Sequence, residues 1–401
     1  MNYCKRIFSL VCLLFLTLSI SAQSAKKYPS RFWEITGNGL TKPSYLYGTM
    51  HVSKKLAYYL PDTFFIALKN VDIVALETNI DKSLDEMINS DLFKIANKTY
   101  ASYGGGNFYK NAFQVTIPIR EDYAQLLAAD PDLVNEMMYR FNDMLGRGDF
   151  EESTYLDLFI YQCGKRLNKK TTGLETFDGA MKYYLKAINP ENAKIEKKEK
   201  ENDSTKVNEE EIEDYTSQNN TYKLIEDAYR AGDLDLLDSL DKKSYPTKLY
   251  GKYLIDDRNL VMLHNMDSIM KKESLFTGVG AGHLPGKDGL IELLRKNGYT
   301  VRPISLEKMK TAGAAKDKLE AIRIPLTFNT FTTDDNIFSV DVPNKMYEVY
   351  VFDELKQYLC VDAANSSYYT VYRIKSHNEF GGYDVALNKK RLDSLFYEFI
   401  P

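Results

Sequence analysis

Two of the four histidines in the 401-residue chain follow glycines in the same way. His51 ends the run GTMH that starts at Gly48, and His283 ends the run GAGH that starts at Gly280 and includes Gly282. Each run comes directly after a predicted strand, where glycine allows a sharp turn and lets a ligand approach the backbone. Ligands of open α/β sheets bind beyond the carboxyl ends of strands. The repeated pattern therefore predicts two site histidines at one end of a sheet.

Two glutamates occupy matching positions. Glu77 ends the apolar run VDIVALE, and Glu175 ends TTGLE. A carboxylate at the end of a buried strand is unfavourable unless it is paired or bound to a metal. Two imidazoles and two carboxylates suit a divalent ion such as manganese, cobalt or zinc, with water completing the coordination. One glutamate could instead act as the general base, and all four side chains are expected to converge in one pocket.

Structural roles for the same residues stay open at this stage. A histidine at a strand end is often a hydrogen-bonded structural residue, and a buried glutamate is commonly paired with arginine, for which Arg258 is a candidate. His264 lies in a predicted helix, and His377 is isolated in a predicted surface loop. The glycine-rich run GVGAGHLPG matches neither GxGxxG nor a phosphate-binding loop that ends in Lys-Ser/Thr, so nucleotide binding is disfavoured.

The elements that must position these residues alternate between strands and helices. Residues 31–52 predict a β-hairpin around Gly37-Asn38-Gly39. Further strands are predicted at 71–77, 171–176, 274–280 and 299–305, and helices at 121–146, 153–168, 255–272 and 287–297. In the helix 255–272, Leu260, Leu263 and Met266 are expected to face the core. The pattern predicts the α/β class, with a central mixed β-sheet flanked by helices.

The two ends of the chain differ from this domain, which is expected over residues 28–308. Residues 1–22 combine Lys5 and Arg6 with an apolar run too short to span a bilayer and then small residues, which predicts a cleaved signal peptide. Residues 318–401 predict a small strand-rich α+β module, with short β-prone runs over 323–375 and a closing helix at 387–399. We therefore expect a periplasmic or extracellular protein with no transmembrane segment after signal removal.

A charged stretch at residues 191–214 interrupts the domain. We predict that it belongs to an insertion that spans residues 191–218. Asp, Glu and Lys dominate it, and it has too few large apolar residues to offset the entropy lost on ordering. We interpret it as a solvated loop or frayed helix that is poorly ordered and dispensable.

Composition excludes several classes of protein. Apolar residues make up 44% and charged residues 27%, with a formal charge of −4, as in ordinary globular proteins. This charge disfavours a nucleic-acid partner. Signal removal would leave only Cys163 and Cys360, so at most one bridge is possible and the fold is not expected to depend on disulfides.

With these motifs the sequence resembles the TraB/GumN family, which includes the Tiki proteins. The resemblance runs from WEITGNG and SYLYGTMHV through VALET, YLDLFI, GLET and DDRN to GVGAGHLPGKDGLIELLRKNGYTV, over roughly residues 31–305. It implies an α/β fold related to the erythromycin-esterase and ChaN-like group, and a metal-dependent hydrolase with the peptidase activity attributed to Tiki members. It places the site on His51, His283, Glu77 and Glu175, with the Arg-Asn pair at Arg258 and Asn259.

Three functional interpretations follow. In the first, the protein is an exported metal-dependent hydrolase that acts on a peptide or small-molecule substrate, and His51, His283 and Glu77 hold the ion. Glu175 or Glu77 is then the base, and Arg258 positions substrate or stabilises charge. In the second, the same pocket sequesters a peptide or signal molecule without cleaving it. In the third, by analogy with the ChaN-like group, it binds haem or iron. The oligomeric state is left open.

Overall fold

A mixed six-stranded sheet forms the centre of the molecule. The computed structural model describes residues 26–50, 58–89, 156–202, 215–307, 310–352 and 355–374. The sheet contains β1 (Phe32–Gly37), β2 (Ser44–Thr49), β3 (Ile73–Thr78), β4 (Lys170–Glu175), β5 (Leu275–Gly280) and β6 (Tyr299–Pro303). Their order across the sheet is β4-β3-β5-β2-β1-β6. The neighbours from β4 to β2 are parallel, and β1 and β6 add antiparallel pairs at the other edge.

The strands form where the apolar runs predicted them. The β1–β2 hairpin turns through Gly37, Asn38 and Gly39, all of which have positive φ angles, a conformation that glycine and asparagine adopt readily. Every residue of β5 is buried, as is typical of a central parallel strand covered on both faces. The hairpin and the strands predicted at 71–77, 171–176, 274–280 and 299–305 are all present.

Helices connect the strands and pack against the sheet. They are α1 (Asp62–Asn70), α2 (Ile80–Asn89), α3 (Leu156–Arg166), α4 (Phe177–Ala187), α5 (Glu191–Asn202), α6 (Tyr215–Ala231), α7 (Leu234–Ser244), α8 (Lys248–Gly251), α9 (Asp257–Met270), α10 (Leu290–Lys296) and α11 (Ala312–Glu320). A π-helical turn (Lys252–Asp256) joins α8 to α9, and a 3₁₀ turn (Ala281–His283) follows β5. Within the described ranges, no helix is both long and apolar enough to cross a membrane. The α/β class is confirmed.

An aromatic cluster lies at the centre of the core. Phe32, Tyr47, Phe64 and Phe276 are all fully buried. Their ring centroids lie between 5.0 and 6.4 Å apart, within the range of favourable edge and offset contacts. The cluster joins β1, β2, β5 and α1, so β2, which ends at Thr49, and β5, which ends at Gly280, share one rigid support.

The prediction of which residues of the helix at 255–272 face the core is wrong in one respect. Leu260 is 56% exposed, whereas Met262, Met266 and Met270 are buried. These methionines continue a four-residue spacing that begins at Arg258, which is also buried. Because Arg258 and its neighbour Asn259 occupy the inward side, the next residue along the chain turns towards solvent. The pattern of apolar residues could not predict that two polar residues lie on the buried face of this helix.

The C-terminal segment forms small antiparallel sheets, as predicted. β7 (Asn329–Thr332) pairs with β8 (Ser339–Val342), and β10 (Leu355–Asp362) pairs with both β9 (Tyr347–Phe352) and β11 (Ser367–Ile374). A separate small core there contains Tyr358 and Cys360. The Gln162 side chain of α3 donates hydrogen bonds to the Ala363 carbonyl and the Ser366 hydroxyl, which joins this segment to the central domain.

Several predictions lie outside the described residues. These are the signal peptide at 1–22 with its cysteines, the helix at 121–146, the closing helix at 387–399, His51 and His377. The other two cysteines, Cys163 and Cys360, are buried and unbridged.

The charged stretch at 191–214 begins as helix α5 and contacts the domain. Asn192 is buried, and its amide donates to the carbonyls of Lys186 and Ala187. Glu196 accepts a hydrogen bond from the Leu249 backbone amide at the start of α8. The first half of this stretch is therefore more than the solvated loop that its composition suggested.

Deleting the two halves of the stretch should have different effects. Replacing 203–214 by a short Gly-Ser linker should leave the melting temperature within about 3 °C of wild type, because that segment is highly charged. Deleting 191–214 should lower it further, because Asn192 and Glu196 lose the bonds described above. Thermal unfolding of the two variants measures this. Equal losses would show that 203–214 contributes as much to stability as α5.

Candidate active site

The predicted site residues follow strands that lie side by side. The carboxyl ends of β4, β3, β5 and β2 form one edge in that order, and they carry Glu175, Glu77, Gly280 and Gly48. In the parallel β2–β5 pair, Gly48 lies opposite Val279 and Thr49 opposite Gly280. The two glycine-histidine motifs therefore leave the sheet from adjacent strands at the same level. His51 itself lies outside the described residues.

Arg258 joins the two glutamates. Its Nη2 donates to Glu77 Oε2 at 2.6 Å and also to Glu175 Oε1, which in addition accepts from Nε at 2.9 Å. The side chains of Arg258, Glu77 and Glu175 are only 9%, 10% and 2% exposed. Such charge-assisted bonds between buried groups are strong, and they offset part of the cost of removing three charges from water. The pairing of a strand-end glutamate with Arg258, left open above, applies to both glutamates.

The helix that carries Arg258 begins at an unusual point. The π-helical turn Lys252–Asp256 directly precedes α9, and Arg258 Nη1 donates to the Leu254 carbonyl within that turn at 3.2 Å. π-turns are rare and frequently occur at functional sites, because the extra residue changes which side chains face inward. Here Arg258 and Asn259 are both buried, although they are consecutive residues of one helix.

Asn259 determines which nitrogen of His283 carries the proton. The Asn259 amide nitrogen donates to the Asp288 carbonyl at 2.9 Å, so its Oδ1 faces His283 Nδ1, 2.8 Å away. An amide oxygen can only accept, and therefore Nδ1 of His283 is the protonated nitrogen. In the neutral ring, Nε2 then keeps its lone pair. It lies 3.5 Å from Arg258 Nη1 and 3.7 Å from Glu77 Oε1.

The two glutamates differ in how their oxygens are used. Both oxygens of Glu77 accept hydrogen bonds, Oε2 from Arg258 and Oε1 from the Gly280 backbone amide at 2.7 Å. Glu175 Oε2 is buried and has no hydrogen-bond partner in the described part of the protein. Burial raises the pKa of Glu175; Arg258 opposes this shift, and the negative charge of Glu77 adds to it. Glu175 is thus a desolvated carboxylate with one oxygen available.

The donor set agrees in part with the expected metal ion. His283 Nε2 has a lone pair, and its other nitrogen is held by a hydrogen bond, the usual arrangement of a ligating histidine. The Oε2 atom of Glu175, which has no partner among the described residues, is a further possible donor. Among the described residues, however, no three His, Cys, Asp or Glu side chains are placed to hold an ion together. A complete set therefore depends on His51.

The structure brings together Glu77, Glu175, Arg258, Asn259 and His283 among the predicted site residues. His264, by contrast, is exposed on α9. A Cβ atom at Gly48 would lie 3.1 Å from the Ala281 backbone, so that position favours glycine for space. At Gly282 the nearest atom to such a Cβ would be Asp241 Oδ2, 3.0 Å away at the end of a side chain.

One buried acid was missed. Asp157 on α3 is 1% exposed and accepts a hydrogen bond from the Thr49 hydroxyl at 2.6 Å, within the first glycine-histidine motif. Its signal in the sequence was an acidic residue inside the apolar run YLDLFI, where a charge is unfavourable unless it is paired.

A surface groove of about 390 Å³ lies near this helix but contains none of the clustered side chains. It is lined by Lys248, Leu249, Lys252, Asp256, Asp257, Leu260 and Asp288. Because Leu260 is exposed while Arg258 and Asn259 are buried, the groove lies on the solvent side of α9.

Comparison with known proteins bears on the same region. No curated protein and no solved structure matches the chain. The sequence profile of the TraB/PrgY/gumN family matches residues 31–303, which is more than half of the chain and includes the whole central sheet with every clustered residue. The protein therefore belongs to the TraB/PrgY/gumN family.

Proposed function

We propose that this protein is an exported hydrolase that cleaves peptide-like substrates with the help of a divalent metal ion. The observation that carries the proposal is the unpartnered, buried Oε2 of Glu175 beside a guanidinium, at the carboxyl ends of parallel strands. A purely structural ion pair would gain by bonding both oxygens of each carboxylate. Export is inferred from residues 1–22 alone.

Glu175 is the residue best suited to act as general base. Its pKa is raised by burial, which brings a carboxylate closer to the range in which it can accept a proton from water near neutral pH. Arg258 holds Oε1 and leaves Oε2 to take the proton while the oxygen of that water attacks the substrate carbonyl. The proton then passes to the leaving amine.

Arg258 is better suited to orient the carboxylates than to bind substrate. Its three nitrogens already donate to Glu77, Glu175 and the Leu254 carbonyl. Glu77 in turn accepts from the Gly280 amide, which fixes the end of β5 and hence the start of the second glycine-histidine motif. These bonds keep the base, the imidazole and the strand ends in one geometry before substrate arrives.

The expected ion would be held by His283 Nε2, His51 and Glu77, because the carboxylate oxygens of Glu77 retain further lone pairs. When bound, the ion would acidify a water and polarise a carbonyl. Asn259 keeps His283 in the tautomer that this role requires.

Metal content and peptide cleavage test the proposal together. We expect purified protein to bind Mn, Co or Zn, to cleave members of a random peptide library followed by mass spectrometry, and to lose cleavage on chelation. Adding back the metal should restore it. Metal-independent capture of peptides without cleavage would favour the sequestering alternative. The absence of both metal binding and peptide cleavage would contradict the proposal.

A further inference from the structure

The peptide group that precedes Glu175 is held by a side chain outside the cluster described above. The Asn265 amide donates a hydrogen bond to the Leu174 carbonyl at 2.6 Å. A carbonyl can only accept, so the amide nitrogen of Asn265 is the atom that faces it. Leu174 and Glu175 are the last two residues of β4, which lies at the edge of the sheet beside β3. Backbone groups of an edge strand need partners from other segments, and α9 supplies one here.

Helix α9 therefore contacts Glu175 at two points. Arg258 and Asn265 are seven residues apart in this helix, almost two full turns, so they project from the same side of it. Arg258 binds the Glu175 carboxylate, and Asn265 binds the peptide group in front of it. Because the helix backbone sets the spacing of the two anchor points, rotation of the glutamate side chain and movement of the strand end are both restricted.

The chain after Glu175 is held from another element, helix α2. Glu86 Oε2 accepts a hydrogen bond from the Phe177 backbone amide at 2.7 Å. Phe177 is the first residue of α4, where backbone amides have no acceptor within their own helix. In the same turn, the Thr176 hydroxyl accepts from the Gly179 amide at 3.1 Å. Hydrogen bonds to side chains thus fix the backbone on both sides of Glu175.

Packing of side chains does little to fix the end of β4. The first four residues of the strand are exposed or half-buried, and only Leu174 and Glu175 are buried. Gly173 lies two residues before Glu175, and a Cβ atom there would be only 2.3 Å from the Asn79 amide nitrogen, so the position requires glycine for space. Glycine restricts the backbone less than other residues do. The bonds from α9 and α2 therefore add rigidity where the strand itself supplies little.

We propose that Asn265 and Glu86 are positioning residues that hold the backbone on both sides of Glu175 and so keep its unpartnered Oε2 in one direction. The inference deepens the proposed function and rests on it for the role of Glu175 as general base. A base must stay within hydrogen-bond distance of the water that it activates, and a displacement of about 1 Å can lower turnover about 100-fold. Both residues act through the position of Glu175 rather than by contact with substrate.

The variants Asn265→Leu and Glu86→Met test this role, because each removes one hydrogen bond and keeps a side chain of similar size. We expect the amides of residues 174–178 to exchange roughly ten-fold faster by mass spectrometry. The NMR carboxyl signal of Glu175, assigned with Glu175→Gln, should move. In peptide cleavage, kcat should fall roughly 10–100-fold while KM stays within about two-fold of wild type, because the base acts in the chemical step and not in substrate binding.

The variant Glu86→Gln separates the effect of position from that of charge. The amide oxygen of glutamine can still accept from the Phe177 amide, so exchange, the Glu175 signal and kcat should all stay close to wild type. A loss of kcat in Glu86→Gln as large as that in Glu86→Met would overturn the positioning role of Glu86.

Asn344→Leu is the matched control for Asn265→Leu. The Asn344 amide also donates to the carbonyl of a strand residue, Val361, but in the C-terminal segment. The control should leave all three readouts unchanged. If Asn265→Leu does not fold, Glu86→Met carries the test, because Glu86 is only half-buried.

The outcomes separate this inference from the proposed function. Folded variants with unchanged exchange and an unchanged Glu175 signal would overturn the inference, whatever their activity. Faster exchange and a shifted signal, in a protein whose peptide cleavage is absent or insensitive to Glu175→Gln, would support the positioning and overturn the proposed function.

Discussion

Replacing Glu175 by glutamine should lower peptide turnover by roughly 10²–10⁴-fold while metal stays bound. The amide keeps the shape of the side chain and an oxygen for Arg258, but it cannot take a proton from water. The fold should survive, because the raised pKa of Glu175 means that its ionised form disfavours the folded state at pH 7. A neutral side chain of the same shape removes this unfavourable contribution to the free energy of folding. Arg258 keeps its bond to Glu77.

The pH dependence provides an independent check of the same role. Activity needs the ionised carboxylate, so it should fall as the pH drops through the raised pKa of Glu175, above the ordinary glutamate value of 4.5. The residual activity of Glu175→Gln should lack this step. Glu273→Gln is a suitable control, because Glu273 is paired with Lys170 at the opposite end of the sheet. Full activity in Glu175→Gln, together with loss in Glu77→Gln, would assign the base to Glu77 instead.

The strand ends that carry the site were predictable from local sequence. The run VDIVALE is mostly apolar up to its terminal glutamate, and it forms the buried strand β3 as such a run indicates. TTGLE forms β4 at the edge of the sheet, where only Leu174 and Glu175 are buried. Arg258 was identified as a partner for a glutamate because a buried carboxylate needs a cation. The first glycines of both motifs were expected at the carboxyl ends of strands, and the structure has Gly48 near the end of β2 and Gly280 at the end of β5.

The order of the strands was not predictable in this way. β5 lies between β3 and β2, although almost 200 residues separate it from β3 along the chain. That order depends on long connections between parallel strands, and nothing within the strands specifies which neighbour they take. Convergence of Glu77, Glu175 and His283 could therefore be expected from a shared sheet edge, but the bonds among them could not.

The side chains around the site were harder to predict than the strand ends that carry it. The inward face of α9 was assigned by hydrophobicity, which placed Leu260 inside, whereas Arg258 and Asn259 occupy that face. Asn259 was known from the family resemblance alone, and its role in fixing the His283 tautomer depends on a third group, the Asp288 carbonyl. Bonds that need three segments leave no periodic signal in the sequence.

Removing either motif histidine should have the largest effect on metal binding. We expect His51→Ala and His283→Ala to weaken binding of Mn, Co and Zn by at least roughly 100-fold, measured by calorimetry, and to abolish peptide cleavage. His264→Ala is the matched control, since His264 is exposed on the same helix as Asn259. It should bind metal and cleave peptides as wild type does.

The two histidine variants should differ in stability, and this difference separates a structural role from a ligand role. His283 is only 3% exposed and donates to Asn259, so His283→Ala leaves a buried acceptor without its donor and should cost about 1–3 kcal/mol of unfolding free energy. A less disruptive variant, His283→Gln, fills more of the space while removing the imidazole nitrogen. If His283→Gln is folded and still binds metal with wild-type affinity, the histidine is structural. If His51→Ala behaves in the same way, no metal role remains for either motif, and hydrolysis would have to proceed through Glu175 without the expected ion.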